Sequence, residues 1–493
     1  MNLPVIIIGA GIGGLAAAVS LAARGEPVLL LERASAPGGK MRHLVIGDAR
    51  IDAGPTVFTM RWVFDELFQE AGARLEDHLR LESVDILARH AWVQGGRLDL
   101  FADVTRSAEA IAQFAGLADA QGYRDFVARA RRTYQALEEP FIRSARPTPV
   151  SLVARAGFGG AARLLATQPF ASLWTALGEH FRDPRLRQLF GRYATYVGSS
   201  PFLAPATLML IAHVEQSGVW LVEGGMHQVA RTLAGLAEGL GARLRYQADV
   251  AEVLVESGRA VGVRLQDGEK LGARAVIVNA DASALTTGRF GAVAARALSA
   301  TPRSRRSLSA VTWAMHVPTK GFPLVRHNVF FSRDYAEEFA ELTKQMRLPA
   351  EPTVYVCAQD RGDDDGPLAD AERLLVLVNA PARGDFRPFE PAALAAVEAA
   401  CFAVLERCGL HVIRDPAREI RTTPLEFEAL FPATGGALYG QAVHGWQATF
   451  NRPGSRTKIP GLYVAGGSVH PGAGVPMATL SGRLAAAAVL EAR

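Results

Sequence analysis

Residues Val5-Ile6-Ile7-Ile8-Gly9-Ala10-Gly11-Ile12-Gly13-Gly14 constrain the fold more than any other stretch of the chain. Four consecutive apolar residues read as a short strand buried on both faces, since a half-exposed strand would alternate. Gly9, Gly11 and Gly14 then give the spacing G-x-G-x-x-G, with Gly13 inside the same loop. The first glycine permits a tight turn, the second lets backbone approach a pyrophosphate, and the third packs helix on strand. The helix that follows presents free N–H groups and the positive end of its dipole to an anion. Leu15 to Ala23 is a good helix former stopped by Gly25, and Pro27 to Leu31 is a second buried strand closing on Glu32. The unit Val5 to Glu32 is near the ~30 residues of a βαβ dinucleotide fold. Glu32 stands where a carboxylate accepts hydrogen bonds from an adenosine ribose.

At 493 residues the chain is long for one core and implies two or three domains. A net charge of +4 with no Lys/Arg block, RNA-binding motif or zinc spacing argues against nucleic acid. Cys357, Cys401 and Cys408 form neither a disulfide framework nor a ligand cluster; Cys401 and Cys408, seven apart on one face of a helix, read as buried thiols, which fits a reducing compartment. No metal site is expected; Asp363-Asp364-Asp365, between glycines, reads as a solvated loop. No signal peptide precedes the first strand, and no run of about 18 apolar residues predicts a membrane span.

Beyond Glu32 comes Arg33, then Gly38-Gly39-Lys40-Met41-Arg42, where glycines allow close backbone approach and three cations can face a pyrophosphate. Asp52-Ala-Gly54-Pro55-Thr56 reads as a tight turn after a strand. Together these stretches resemble the N-terminus of the bacterial-type carotenoid (phytoene) desaturase family of flavoproteins. The C-terminus carries the resemblance further. Gly461 to Ala465 is a strand, Gly466 to Gly474 a glycine-rich loop, and Val475-Pro476-Met477 opens a helix to Leu490, with Pro476 suited to its first turn.

The resemblance implies an α/β protein like monoamine oxidase and phytoene desaturase. Its parts are a discontinuous, glutathione-reductase-like Rossmann FAD domain (1–62, 218–290 and 421–493), a helical cap facing a membrane (63–217) and an α+β substrate domain (291–420). It implies FAD held by the residues named above, by Gly466, Gly467 and the N-terminus at Val475 to Met477, and by Val250 against the adenine. The hairpin turn Asp267-Gly268 lies between the strand candidates Ala260–Gln266 and Ala275–Asn279. Strands at Ser309–Val317, Thr353–Cys357 and Leu374–Val378, with a helix at Pro391–Cys408, read as the floor of a substrate site.

The function implied is hydride removal from a lipophilic carotenoid, with electrons passed to a quinone or to oxygen. No serine triad, zinc motif or general-base motif is present, so Glu215 or His213 is the candidate for the departing proton, with His227 and His470 less favoured. Arg452 and Arg483 read as ion-pair or surface residues. Ser199-Ser-Pro201, Ile211 to Glu215 and Gly218-Val-Trp220 look closest to the branch acting on linear carotenoids hydroxylated at C1, the hydroxyneurosporene or methoxyneurosporene desaturases. Alternatives are a phytoene desaturase, another flavin oxidase of the amine oxidase superfamily, or a non-enzymatic prenyl or lipid escort. The expected location is the cytoplasmic side of a bacterial inner membrane, bound peripherally, with lipid contacts at Phe170, Leu173 and Trp174 inside Leu152–Phe190.

Overall fold

The computed structural model describes residues 3–363, 368 and 370–492, so Asp364, Asp365 and Gly366 lie outside the described residues. Val5–Ile8 is the middle strand of a five-stranded parallel sheet. Its order is Arg243–Arg245, Val28–Leu31, Val5–Ile8, Ala275–Val278 and Leu462–Val464. The apolar run is continuous because both faces are covered. Val5 and Ile7 pack into one core with the helices Ile12–Ala22, His227–Gly239 and Val475–Leu490. Ile6 and Ile8 pack into another, under the antiparallel strands Val250–Glu256, Arg259–Leu265 and Lys270–Gly272. The Asp267-Gly268 turn thus leads into the short strand Lys270–Gly272, and Ala275–Val278 departs to the parallel sheet.

A second, seven-stranded sheet runs in the order Glu419–Thr422, Ser309–Val317, Glu372–Ala380, Val354–Ala358, His327–Phe331, Ile86–Trp92, Arg97–Phe101. Alternation decides its two faces. Val311, Trp313, Met315, Val376 and Val378 bury themselves against the helix Pro391–Arg407. Thr312, Tyr355, Leu375, Leu377 and Asn379 line a cavity on the other side, the face read above as a substrate floor.

Within 63–217, read above as a helical cap, the strands Leu81–Ser83, Ile86–Trp92 and Arg97–Phe101 are a correction. The last two complete the floor sheet, with Ile86–Trp92 parallel to His327–Phe331. Polar residues hid this strand: Arg89 is buried in an ion pair with Asp99 at 2.7 Å, and His90 is buried beside it. Asp363 is also more than solvated loop, since its carboxylate accepts from the Asp85 and Ile86 amides at 2.8 Å and fixes the start of that strand. The helices Leu117–Leu137 and Pro149–Ala166 give Leu137, Leu152 and Leu164 to the cavity wall, and Tyr123 and Phe181 stack on Phe190 in the cap core with Phe126 tilted against it. Leu173 is fully buried in that core and so does not face outward, a correction; Trp174 is half-buried and packs on Phe202 at 4.6 Å, and Phe170 is 70% exposed. No described helix is long and apolar enough to cross a membrane.

Candidate active site

Both glycine-rich loops open onto one cavity of about 1160 Å³. That is more than the ~300–1,000 Å³ usual for a single small-ligand pocket. Gly9 takes φ +98°, reachable at little cost only by glycine, and its carbonyl accepts from Asn279 Nδ2 at 3.1 Å. A Cβ on Gly11 would lie 2.9 Å from that same nitrogen, and one on Gly14 would lie 2.1 Å from the Gly9 carbonyl. The helix Ile12–Ala22 starts at Gly11 with no side-chain cap and no acid in its first turn, leaving its end free for an anion. Val475–Leu490 starts the same way at Gly474, with Pro476 in its first turn, and Val475, Pro476 and Met477 line the cavity.

Glu32 is buried at the far side of the first loop. One carboxylate oxygen accepts from the Ala10 amide at 2.6 Å and the other from the Ala34 amide at 2.8 Å. Glu32 lines the cavity, as does Val250. Gly39 and buried Met41 also line it, and a Cβ on Gly39 would lie 3.2 Å from Gly11 Cα. The three cations differ. Arg33 is exposed and donates to the Leu430 carbonyl. Arg42 donates to Thr422 Oγ1 at 3.2 Å and lies over the Phe427 ring. Lys40 reaches deepest, donating to the Leu438 carbonyl at 2.6 Å; burial lowers its pKa, nearby Asp281 opposes this and Arg452 adds to it.

Arg452 is a correction: it is not at the surface, and among the described residues it has no ion-pair partner. It is 2% exposed, and its guanidinium donates to the carbonyls of Gly467 at 2.8 Å, Tyr439 at 3.1 Å and Gln441 at 2.9 Å. Burial lowers its pKa to about 10. Arg483 pairs with Glu66 at 2.7 Å. His470 anchors the second loop from outside, within 2.9 Å of the Ser144 carbonyl and 3.1 Å of that of Phe141. His227 lies 2.9 Å from the Pro37 carbonyl and edge-on to His43.

The two proton-acceptor candidates part company. His213 is half-buried, edge-on to Tyr134 and next to Ser217, outside the cavity lining. Glu215 lines the cavity at 9% exposure, accepting from Tyr196 Oη at 2.6 Å and Tyr193 Oη at 2.8 Å. Burial raises its pKa, against the two phenol hydrogen bonds and the Arg192 charge. Around it the cavity wall is polar in ways the sequence reading missed: Arg192, Tyr196, His327 and Tyr355 come from three separate segments with no local motif to join them.

The match to known proteins follows the geometry. Residues 12–490 fit the family model described as flavin containing amine oxidoreductase. The chain belongs to that family. It is 55% identical to hydroxyneurosporene desaturase of Rubrivivax gelatinosus, over 98% of this chain and 92% of that protein. With the protein of the same name from Cereibacter sphaeroides it is 44% identical, over 99% and 97%. Putrescine oxidase bound to putrescine has the same fold, with a TM-score of 0.62 over 100% of this chain and 99% of that one at 16% identity. The chain is an FAD-dependent oxidoreductase, and its residues fit the cofactor: two uncapped helix ends, loops that a Cβ would crowd, and a fixed carboxylate face one cavity.

Proposed function

We propose that this enzyme is a carotenoid desaturase that forms the 3,4 double bond of a linear carotenoid hydroxylated at C1. The form of the cavity carries this reading. The glycine loops occupy one side, and Leu152, Leu164, Leu208, Ile211, Val214 and Phe450 give an apolar wall that suits a polyene. Two relatives named hydroxyneurosporene desaturase, at 55% and 44% identity, support the substrate class.

Desaturation removes a hydride and a proton from adjacent carbons. When bound, FAD supplies the acceptor for the hydride and its electrons. The wall excludes water, and positive charge left on the polyene is spread over many carbons, so it needs no fixed counter-ion. Glu215 takes the proton, with its carboxylate aimed by the two tyrosines. The electrons leave to a quinone or to oxygen. Anaerobic incubation of the FAD-loaded protein with a panel of acyclic carotenoids tests the reaction. The 1-hydroxylated compounds should bleach the flavin and give a product absorbing at longer wavelength. Efficient turnover of phytoene with none of the hydroxylated compounds would move the protein to the phytoene branch.

The enzyme works, in this reading, on the cytoplasmic face of the inner membrane. Leu152 and Leu164 of the helix Pro149–Ala166 line the cavity, while Val150, Val153 and Leu165 of the same helix are exposed. Phe170, stacked edge-on against Trp446 at 5.5 Å, and Leu203 extend the apolar rim. A rim of this kind at a cavity mouth suits transfer of a substrate that dissolves in bilayers.

A further inference from the structure

A carotenoid is nearly featureless along its length, so a terminal hydroxyl is the one group that can set its register. In the proposed substrate only C2 separates the carbon bearing the hydroxyl from the reacting C3–C4 bond. The reacting carbon must come within about 3–3.5 Å of its acceptor. The hydroxyl must therefore bind deep in the cavity, beside the cofactor loops, while the polyene runs out to the mouth.

One part of the wall meets that demand. Arg192 lines the cavity with its guanidinium over the rings of Tyr196 and Tyr355, at 5.2 and 5.1 Å, and donates a hydrogen bond to Tyr196 Oη at 3.2 Å. Tyr355 Oη lies 2.7 Å from Thr56 Oγ1 and 2.8 Å from His327 Nδ1. Burial lowers the pKa of His327 to about 3, so the ring is neutral. Two atoms of this wall, His327 Nε2 and Tyr335 Oη, are buried without a hydrogen-bond partner. Buried polar groups almost always find one, so such gaps call for an explanation.

The group is tied through the fold to the segments that carry the cofactor loops. Arg192 begins the turn Arg192–Val197, which ends at Gly198, and a Cβ on Gly198 would lie 2.5 Å from the Tyr439 ring. The Tyr439 carbonyl is bound by Arg452, which also binds that of Gly467. Thr56, the partner of Tyr355, stands two residues after Gly54, whose Cβ position lies 1.9 Å from the Lys40 carbonyl. Both flanks of the polar group are thus tied to segments that bear the cofactor-facing residues.

We propose that Arg192, Tyr196 and Tyr355 form the hydroxyl-binding end of the cavity, with Arg192 donating to the substrate oxygen and so fixing which carbon–carbon bond is presented. This rests on the reading of the enzyme as a desaturase of 1-hydroxylated carotenoids and assigns the residues that give that preference. A site built to bind a hydroxyl rejects an analogue lacking it, because its own polar groups are then left unpaired.

The test compares kcat/KM for a 1-hydroxylated acyclic carotenoid and its unhydroxylated parent in the FAD-loaded, full-length enzyme, and the position of the new bond in each product. Arg192→Met should lower the hydroxylated-to-parent ratio ~10–100-fold, chiefly through KM for the hydroxylated compound, with flavin content still one per chain. Tyr355→Phe, which keeps the ring and its packing, should lower it by a smaller factor and decides the matter if Arg192→Met loses flavin. Variants that hold their flavin and keep the wild-type ratio and product would overturn the assignment and leave the desaturase reading standing. A wild-type enzyme that does not prefer the hydroxylated compound would overturn that reading, and this assignment with it.

Discussion

Arg452 donates through one guanidinium nitrogen to the Gly467 carbonyl and through the other to the carbonyls of Tyr439 and Gln441. One buried side chain thereby joins the glycine loop before the last helix to the segment whose Leu438 carbonyl holds Lys40. Arg452→Met removes all three bonds and leaves buried carbonyls unpaired, at ~1–3 kcal/mol for each. We expect a clear drop in Tm and weaker FAD retention, measured by thermal melts with and without added FAD. An unchanged melt and full flavin content would show that the loops hold themselves.

Gly11→Val should abolish FAD binding. Its first side-chain atom would press on Asn279 Nδ2 at 2.9 Å, the nitrogen that fixes the Gly9 carbonyl, and its methyls would enter space needed by the pyrophosphate. Gel filtration with flavin absorbance is the check: a soluble variant carrying one FAD per chain would refute the placement.

Glu32→Ala should weaken FAD binding by less, about 1.5–3 kcal/mol, the value of a hydrogen bond to a charged group. It also strips the Ala10 and Ala34 amides of their acceptor, so some loss of stability should accompany it. Titration of apoprotein with FAD measures the effect, and an unchanged affinity would remove Glu32 from the site.

The parallel sheet and both glycine loops were legible because each is local: a strand, a turn and a helix within some 30 residues, with glycines where only glycine fits. The floor strand Ile86–Trp92 was not, because Arg89 and His90 interrupt its apolar pattern, and only pairing with the strand Arg97–Phe101 brings them their partners, Asp99 and the Leu98 carbonyl. Arg452 was illegible for a different reason, since its partners are backbone carbonyls. A cation that binds three carbonyls brings no acidic neighbour in sequence to announce it. Leu173 looks like a surface apolar residue in a helix-rich run, and only tertiary packing turns it inward.

Glu215 gives a pH prediction. As a proton acceptor it must be ionised, and burial raises its pKa while the bonds from Tyr196 and Tyr193 lower it. Activity should therefore fall on the acid side through a limb lying above the ordinary glutamate range. Tyr196→Phe removes a bond that favours the charged form, so the limb should move to higher pH. Glu215→Gln should abolish it and lower kcat by ~10²–10⁴-fold. A Glu215→Gln enzyme with wild-type kcat and an unmoved limb would exclude the carboxylate as the base.

Membrane attachment can be separated from folding because the exposed and buried apolar residues near the mouth are distinct. Phe170 and Leu165 are 70% and 64% exposed, whereas Leu173 is fully buried. Burying a large apolar side chain contributes about 1.5–3 kcal/mol, so moving Phe170 or Leu165 into lipid should count for a sizeable part of that. In a flotation assay the protein should rise with liposomes, and Phe170→Glu and Leu165→Glu should each weaken this several-fold without lowering Tm. Leu173→Glu should instead lower Tm, since it puts an unpaired carboxylate into the cap core. Exposed Arg155, on the same helix as Leu165, would add attraction to anionic lipid, which added salt should reduce. If the wild-type protein stays free of liposomes with and without carotenoid, the rim is not a lipid contact and substrate must reach the cavity by another carrier.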